Sequence, residues 1–260
     1  MIGHAHLSTL IELQPAYLLH SRPFRDNSLI LDFLTPDFGR LSAISRGGRS
    51  ARSKSKSLLQ PFTPVTISLS GKSELKTLRS IELRRGLVSL KGERLFSAMY
   101  MNEIIVRLFQ THEADHGFFQ DYETALLQLG GGEPAEPVLR NFELTLLDAL
   151  GYGVDFSAEA QTHQPLSAEH WYYFQEESGF VKVQDAAGLV SADKPAANIF
   201  SGRDLLQIHE RNFSEESTRR TAKLVIRGIL GSHLGTAPLR SRSLFGMRQA
   251  PGVGNAGPTG

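Results

Sequence analysis

Ser28-Leu29-Ile30-Leu31-Asp32-Phe33-Leu34-Thr35 runs into Pro36-Asp37-Phe38-Gly39, and Arg40-Leu41-Ser42-Ala43-Ile44-Ser45-Arg46 follows. Leu29, Leu31 and Phe33 alternate with Ser28, Asp32 and Leu34; Leu41 and Ala43 alternate with Arg40, Ser42 and Arg46. Side chains on a strand point to opposite faces in turn, so this stretch reads as two half-buried strands about a turn. The same period continues outward. Ala16–His20 precedes it, Val65, Ile67 and Leu69 follow, and Leu75, Thr77, Ile81 and Leu83 share one parity across Glu74–Leu83. Ser70-Gly71-Lys72 is a turn between the last two. Five short strands with no helical period between them suit a small closed barrel. An oligonucleotide-binding (OB) barrel is one such solution and an SH3-like barrel another, and period alone does not separate them.

The remainder of the chain changes period. Residues 1–14 have none and are expected to be a flexible extension ahead of a barrel at 15–86. After Gly86 the pattern is helical. Glu93–Gln110 is apolar almost all round, as in a helix buried within a bundle. Phe118, Tyr122, Ala125, Leu126 and Leu129 make a second helix, stopped by Gly130-Gly131-Gly132. Pro137 is expected as the first residue of a third, with Leu139, Phe142, Leu146 and Leu150 on one face and Gly151 and Gly153 at its end. Residues 87–153 are thus the first part of a helical domain. Residues 154–200 read as an irregular insertion with two short strands, His170–Gln175 and Gly179–Gln184. Helices return over 201–248: Ser201 with Asp204 is a capping signature, and Ser214 with Glu215 and Glu216 opens a helix to about Leu234. On that helix Arg219, Lys223 and Arg227 form a cationic stripe, while Leu224, Val225, Ile229 and Leu230 are expected to pack inward. Residues 249–260, rich in Gly and Pro, read as a disordered tail. The fold class is α+β.

At 260 residues with 40% hydrophobic and 21% charged side chains, the chain is long enough and apolar enough to bury a core. No run approaches the roughly 20 apolar residues of a membrane helix, and no basic start announces a signal peptide. There is no cysteine, which removes disulfides, thiol nucleophiles and cysteine-bearing zinc sites, as suits a reducing cytoplasm. The net charge of +1 conceals an asymmetry. Residues 1–86 carry 13 Lys or Arg against 6 Asp or Glu, a balance of +7; the rest carries 15 against 21, a balance of −6. A basic module on an acidic remainder points to a polyanion partner for the first part. Arg46, Arg49, Arg52, Lys54 and Lys56 crowd into eleven residues without an acid. Such a run is ordinarily a solvated loop, but a Gly- and Ser-bearing loop also drapes readily on phosphates.

Catalytic constellations are missing. No phosphate-binding Gly-x-x-x-x-Gly-Lys motif, dinucleotide fingerprint or Gly-x-Ser-x-Gly elbow occurs. His112-Glu113-Ala114-Asp115-His116 lies between helices and reads as a solvated loop, and Trp171-Tyr172-Tyr173-Phe174 as the packed face of a hairpin. No nucleophile, base and orienting acid assemble, so no enzyme is expected.

Several strings, in order, resemble one family. They are His20-Ser21-Arg22-Pro23, Asp32-Phe33-Leu34-Thr35, Gly39-Arg40, Gly47-Gly48-Arg49, Leu59-Gln60-Pro61-Phe62 and Glu74-Leu75-Lys76-Thr77-Leu78. Tyr100-Met101-Asn102-Glu103, Leu139-Arg140-Asn141-Phe142-Glu143, Leu150-Gly151-Tyr152-Gly153 and Pro238-Leu239-Arg240-Ser241-Arg242-Ser243-Leu244-Phe245 continue them. Together they resemble the bacterial recombination mediator RecO over about 16–246, nearly the whole chain. The resemblance implies an N-terminal five-stranded OB barrel and a helical domain in a bacterial cytoplasmic, nucleoid-associated protein. It implies binding of single- and double-stranded DNA, strand annealing, and loading of RecA onto DNA coated by single-strand binding protein, with RecR as partner. Many members carry a four-cysteine zinc module between the helical segments. Here 154–200 has no cysteine and resembles the zinc-free subgroup, so no metal or other cofactor is expected.

On that reading the DNA contacts fall to Arg22, Arg40, Arg46, Arg49, Arg52, Lys54 and Lys56, then Lys72 and Lys76. Arg40 and Arg46 share one strand parity, opposite Leu41 and Ala43. The tail of a single-strand binding protein, acidic and ending in an apolar residue with a free carboxylate, requires an apolar pocket with a cation at its rim. Arg140, beside Leu139 and Phe142, is the first candidate and Arg107 the second. The alternative is an adaptor whose barrel binds protein or RNA and does not anneal strands.

Overall fold

Period-two patterning closes the front of the chain on itself. The computed structural model describes residues 10–49, 56–176, 178–184, 190–191, 194–195 and 198–246. Strands β1 (Leu10–Phe24), β2 (Ser28–Thr35), β3 (Gly39–Ser45), β4 (Pro64–Ser70) and β5 (Leu75–Leu83) form a closed barrel in the order β1-β2-β3-β5-β4. Its one parallel seam joins β3 to β5, pairing Ser42 with Leu75, Ala43 with Lys76 and Ile44 with Thr77. This is the OB-like solution. Leu18, Leu31, Phe33, Leu41, Ala43, Val65, Ile67 and Leu69 fill the interior, all fully buried.

The first strand begins earlier than its period indicates. Leu10–Gln14, expected in a loose extension, belongs to β1 and pairs with β4 through Leu10–Ser70 and Ile11–Leu69. The register slips between Ile11 and Gln14, where Leu13 takes a φ of 50°. An irregularity of that kind breaks the alternation by which a strand is recognised. Residues 1–9 and the tail at 249–260 lie outside the described residues.

Behind the barrel stand α1 (Glu93–Leu108), α2 (His116–Gly131) and α3 (Ala135–Ala149). Asp115 caps α2, accepting from the Phe118 N–H at 2.8 Å. Helix α3 starts two residues ahead of Pro137, which the first turn accepts because its missing N–H would have no partner there. It lies between two cores rather than against one. Val138, Phe142 and Leu146 face a cluster shared with α1, α2 and the outer barrel residues Tyr17, Leu19, Leu34 and Phe62. Leu144 and Leu147 face a second cluster with the later elements.

The insertion is a packed module. Strands β6 (Trp171–Gln175) and β7 (Gly179–Lys182) form the expected hairpin, and β10 (Ile199–Ser201) adds a third strand in the order β10-β6-β7. Two-residue strands β8 (Val190–Ser191) and β9 (Lys194–Pro195) pair with each other as a separate two-stranded sheet. Phe156, Phe174, Phe180 and Phe200 meet inside, with Phe180 fully buried. The module rests on α4 (Gly202–His209) and α5 (Glu216–Leu234). Ser201 precedes α4 but its side chain makes no cap, and Asp204 serves α5 instead. Buried Asp204 accepts from the hydroxyls of Ser217, Thr218 and Thr221 at 2.8, 3.1 and 3.1 Å. Val225, Ile229 and Leu230 pack inward as expected; Leu224 does not, being 52% exposed. Among the described residues no group of three His, Asp or Glu is placed to hold a metal ion, and no helix is long and apolar enough to cross a membrane.

Barrel and helices are joined by polar contacts. Glu123 of α2 accepts from the Tyr17 hydroxyl at 2.8 Å and pairs with Arg84 and, at 2.7 Å, with Arg85. Asn102 of α1 donates to the Leu19 carbonyl at 2.9 Å while accepting from Tyr122 at 2.7 Å. The segment 110–113 runs along the start of β3: Thr111 bridges Gly39 and Arg40, and the His112 N–H donates to the Arg40 carbonyl at 3.1 Å. The loop is solvated as expected, with Thr111, Glu113, Ala114 and His116 exposed, yet its backbone is tied to the barrel and His116 lies 3.0 Å from Asp37.

The C-terminal helix α6 (Arg240–Gly246) docks on α1 through one carboxylate. Glu103 accepts from the Arg240 N–H at 2.8 Å, the Ser241 N–H at 2.9 Å and the Ser241 hydroxyl at 2.6 Å. Burial alone would raise its pKa, but the Ser241 and Arg240 hydrogen bonds and the Arg107 charge overturn this and hold it below the ordinary 4.5. A depressed carboxylate pKa contributes stability that is present above its ordinary value and is lost as pH falls through the folded-state value. As pH falls below the ordinary 4.5, therefore, α6 should loosen before the rest of the fold opens. Amide exchange at 241–246 followed down a pH series, with intrinsic rates divided out, checks this; protection unchanged to pH 3 would refute it.

Candidate nucleic-acid interface

Pleat alternation decides which cations face water. On β2, Leu29, Leu31 and Phe33 point into the barrel, so Ser28, Ile30, Asp32 and Leu34 point out. The register then builds outward rows across the sheet. Arg22 stands beside Ile30, Ile44 and Thr77; His20 stands beside Asp32, Ser42 and Leu75. Phe24 faces out beside Ser28, and Arg46, the first residue past β3, reaches the same level. The face of β2 and β3 is flanked by the β1–β2 turn at 25–27 and the β4–β5 turn at 71–74, the arrangement in which OB barrels hold oligonucleotides.

Arg22, Arg46 and Arg49 gather at the β1–β2 end and are exposed. Arg49 also holds the turn, its N–H donating to the Asn27 carbonyl at 3.2 Å and its guanidinium to the carbonyls of Arg25 and Asp26 at 3.4 and 3.2 Å. Arg25 completes this group and was absent from the sequence-based candidates, although Arg25-Asp26-Asn27 is a turn string carrying a cation beside a candidate binding face. None of these four forms an ion pair with a carboxylate among the described residues. Lys56 is exposed in the β3–β4 connection and Lys72 on the β4–β5 turn. Arg52 and Lys54 lie outside the described residues.

Two candidates stand elsewhere. Lys76 pairs with inward-facing Ala43, so its side chain enters the barrel; it is 1% exposed and donates to the Gly71 carbonyl at 2.9 Å. Burial lowers its pKa. Arg40 does share the outward parity, but it lies half-buried beside Thr111 at the junction with the helices, its Nε without a hydrogen-bond partner among the described residues.

The expected pocket cations are also redistributed. Arg140 is 5% exposed and lies 2.9 Å from Glu143, whose carboxylate accepts from Tyr100 at 2.7 Å. It is not an open rim cation, because α3 is covered on both sides. Phe142 is likewise buried, packed on Phe118 and Tyr122 with centroids 5.8 and 6.2 Å away, and Leu139 is partly buried against the same cluster. Arg107 straps the chain's own C-terminal segment, donating to the Ala237 and Pro238 carbonyls, each at 2.7 Å. It also lines a cleft of about 670 Å³ with Leu19, Phe62, Met99, Val106 and Arg240. The combination of apolar wall and cationic rim is found there and not at Arg140.

Comparison with known proteins gives two family matches in chain order. Residues 10–87 match the model described as Recombination protein O N terminal, and residues 90–243 that described as Recombination protein O C terminal. Among curated relatives, DNA repair protein RecO of Cellvibrio japonicus is 40% identical over 235 residues, covering 90% of this chain and 97% of its own. That of Aliivibrio fischeri is 42% identical over 233 residues, with 90% and 94% covered. That of Vibrio cholerae is 39% identical over 239 residues, with 92% and 95% covered.

Proposed function

Because the chain belongs to the RecO family of DNA repair proteins, we propose that it binds single- and double-stranded DNA through its barrel and anneals complementary strands. In repair it helps RecA onto single strands coated by their binding protein, with RecR as partner. The observation that carries this is the set of exposed cations Arg22, Arg25, Arg46 and Arg49, without a carboxylate partner among the described residues, at one end of an OB-like barrel. Two bare strands repel. A surface that neutralises phosphates on both lowers the barrier to pairing, and each neutralised phosphate releases condensed counterion. Such contacts are made to backbone, so annealing proceeds without base-specific readout. No catalytic group takes part in this scheme, and the protein acts as a mediator rather than an enzyme.

The acidic, apolar-ended tail of a single-strand binding protein finds its chemistry in the cleft beside Arg107 and Arg240. Lined by Met99, Val106, Leu19 and Phe62, it offers an apolar floor and cations for a terminal carboxylate. The test of the whole reading is annealing of complementary strands coated by single-strand binding protein, followed across a salt series. Faster pairing that fades steadily with salt is expected. A rate equal to the uncatalysed one at every salt concentration would refute it. An adaptor that binds protein or RNA instead would show no salt-dependent affinity for a plain DNA oligonucleotide.

A further inference from the structure

Phe24 is an aromatic ring without a core. It ends β1, points outward between Arg22 and the level of Arg46, and is half-buried. It belongs to none of the three apolar clusters that hold the barrel, the helices and the insertion. The barrel's other rings do: Tyr17, Phe33 and Phe62 are buried in those clusters and Phe38 packs against one. Instead the Phe24 ring carries a cation, the Arg25 guanidinium carbon lying 5.2 Å from its centroid. Arg25 holds this place from a backbone φ of 51°, in the left-handed region that a residue of its kind seldom adopts. Three hydrogen bonds from Arg49 to the carbonyls of 25–27 fix the turn in that shape. A strained residue held by its surroundings beside a half-buried ring, inside a group of cations without a carboxylate partner among the described residues, is a built feature of the surface rather than packing.

We infer that Phe24, with Arg25 across it, is a stacking platform for an unpaired nucleic-acid base and gives the barrel its hold on single strands over duplex; this rests on the DNA-binding reading above. Every base has a π face, so an aromatic ring takes any of them, and a guanidinium plane stacks on bases in the same way. The flanking arginines hold the phosphates on either side of the base. In a duplex the bases cover one another's faces, and the ring has nothing to engage. An annealing protein benefits from the difference, since its grip slackens as the pair forms.

Three quantities separate stacking from charge: affinity for an oligo-dT strand, affinity for a blunt duplex, and the salt slope of each. Phe24→Ala should weaken the strand by about tenfold, leave the duplex unchanged and leave both salt slopes unchanged, because no cation is removed. Phe24→Trp, made in a Trp171→Phe background, should keep the affinity of that background, and its emission should be quenched by the strand and not by the duplex. Unchanged strand affinity in Phe24→Ala, or equal losses on strand and duplex, would overturn the inference while leaving the DNA-binding reading intact. Failure of the unmutated protein to bind either probe in a salt-dependent way would overturn both.

Discussion

Changing Arg22, Arg25 and Arg46 together to Ala should lower the affinity for a single-stranded oligonucleotide by roughly two to three orders of magnitude at about 0.05 M salt. The plot of log affinity against log salt should flatten by about 2, at about 0.7 for each phosphate no longer neutralised. The three side chains stand together at the β1–β2 end, exposed and without a carboxylate partner among the described residues. No ion pair among the described residues is lost with them, so melting should barely move. Arg49 is left in place because it holds the turn. Lys76→Met serves as the contrast. It removes a cation of the same module, but one enclosed in the barrel, and should leave the slope where it was. If the triple variant keeps its full slope, the backbone of the DNA runs over some other part of the molecule.

Gly39→Ala should destabilise the protein by about 3 kcal/mol or more and lower its melting temperature by about 10 °C. Two constraints meet at this residue. Its φ of 58° lies in the left-handed region, where glycine is at ease and alanine is not. A Cβ would also stand 2.0 Å from the Glu113 carbonyl oxygen, which is backbone and has no flexible end to swing aside. Relief requires the 110–113 segment to lift from β3, and with it the bridge from Thr111 and the hydrogen bond to the Arg40 carbonyl. Thermal melting followed by circular dichroism measures the loss. A variant melting within a degree or two of the parent would show that the segment yields freely.

The barrel was legible because β3 and β4 keep a clean alternation and β2 keeps it at Leu29, Leu31 and Phe33. Strand β5 does not, since its pairing with β4 slips between Ser68 and Leu69, so Leu75 and Thr77 face outward while Ile81 packs inward. Five strands followed from Leu29, Leu31, Phe33, Leu41, Ala43 and their counterparts. What did not follow was the closure, because the parallel β3–β5 seam depends on which strands meet in space. Lys76 shows the consequence. Read by residue type it is a surface cation, and only its pairing with Ala43 reveals that it points inward. Arg140 failed for a related reason. A periodic apolar face on α3 was visible in Phe142 and Leu146, but Leu144 and Leu147 face a second core built from residues far along the chain, and the arginine between them is enclosed. The capping signature at Ser201 and Asp204 had the right spacing, yet the carboxylate met three hydroxyls of α5 instead of a backbone N–H. Arg25 and Phe24 escaped notice because a single residue at a strand end carries no period at all. In each case the sequence held the local preference and the long-range partner decided between outcomes.

Helix α3 sits in both apolar clusters, and this bears on how the molecule could be taken apart. A helix with two buried flanks is a shared wall. Remove the later half of the chain and Leu144 and Leu147 lie bare; remove the front half and Val138, Phe142 and Leu146 do. Neither piece would keep its own interior dry, so the barrel half and the C-terminal half stand or fall together.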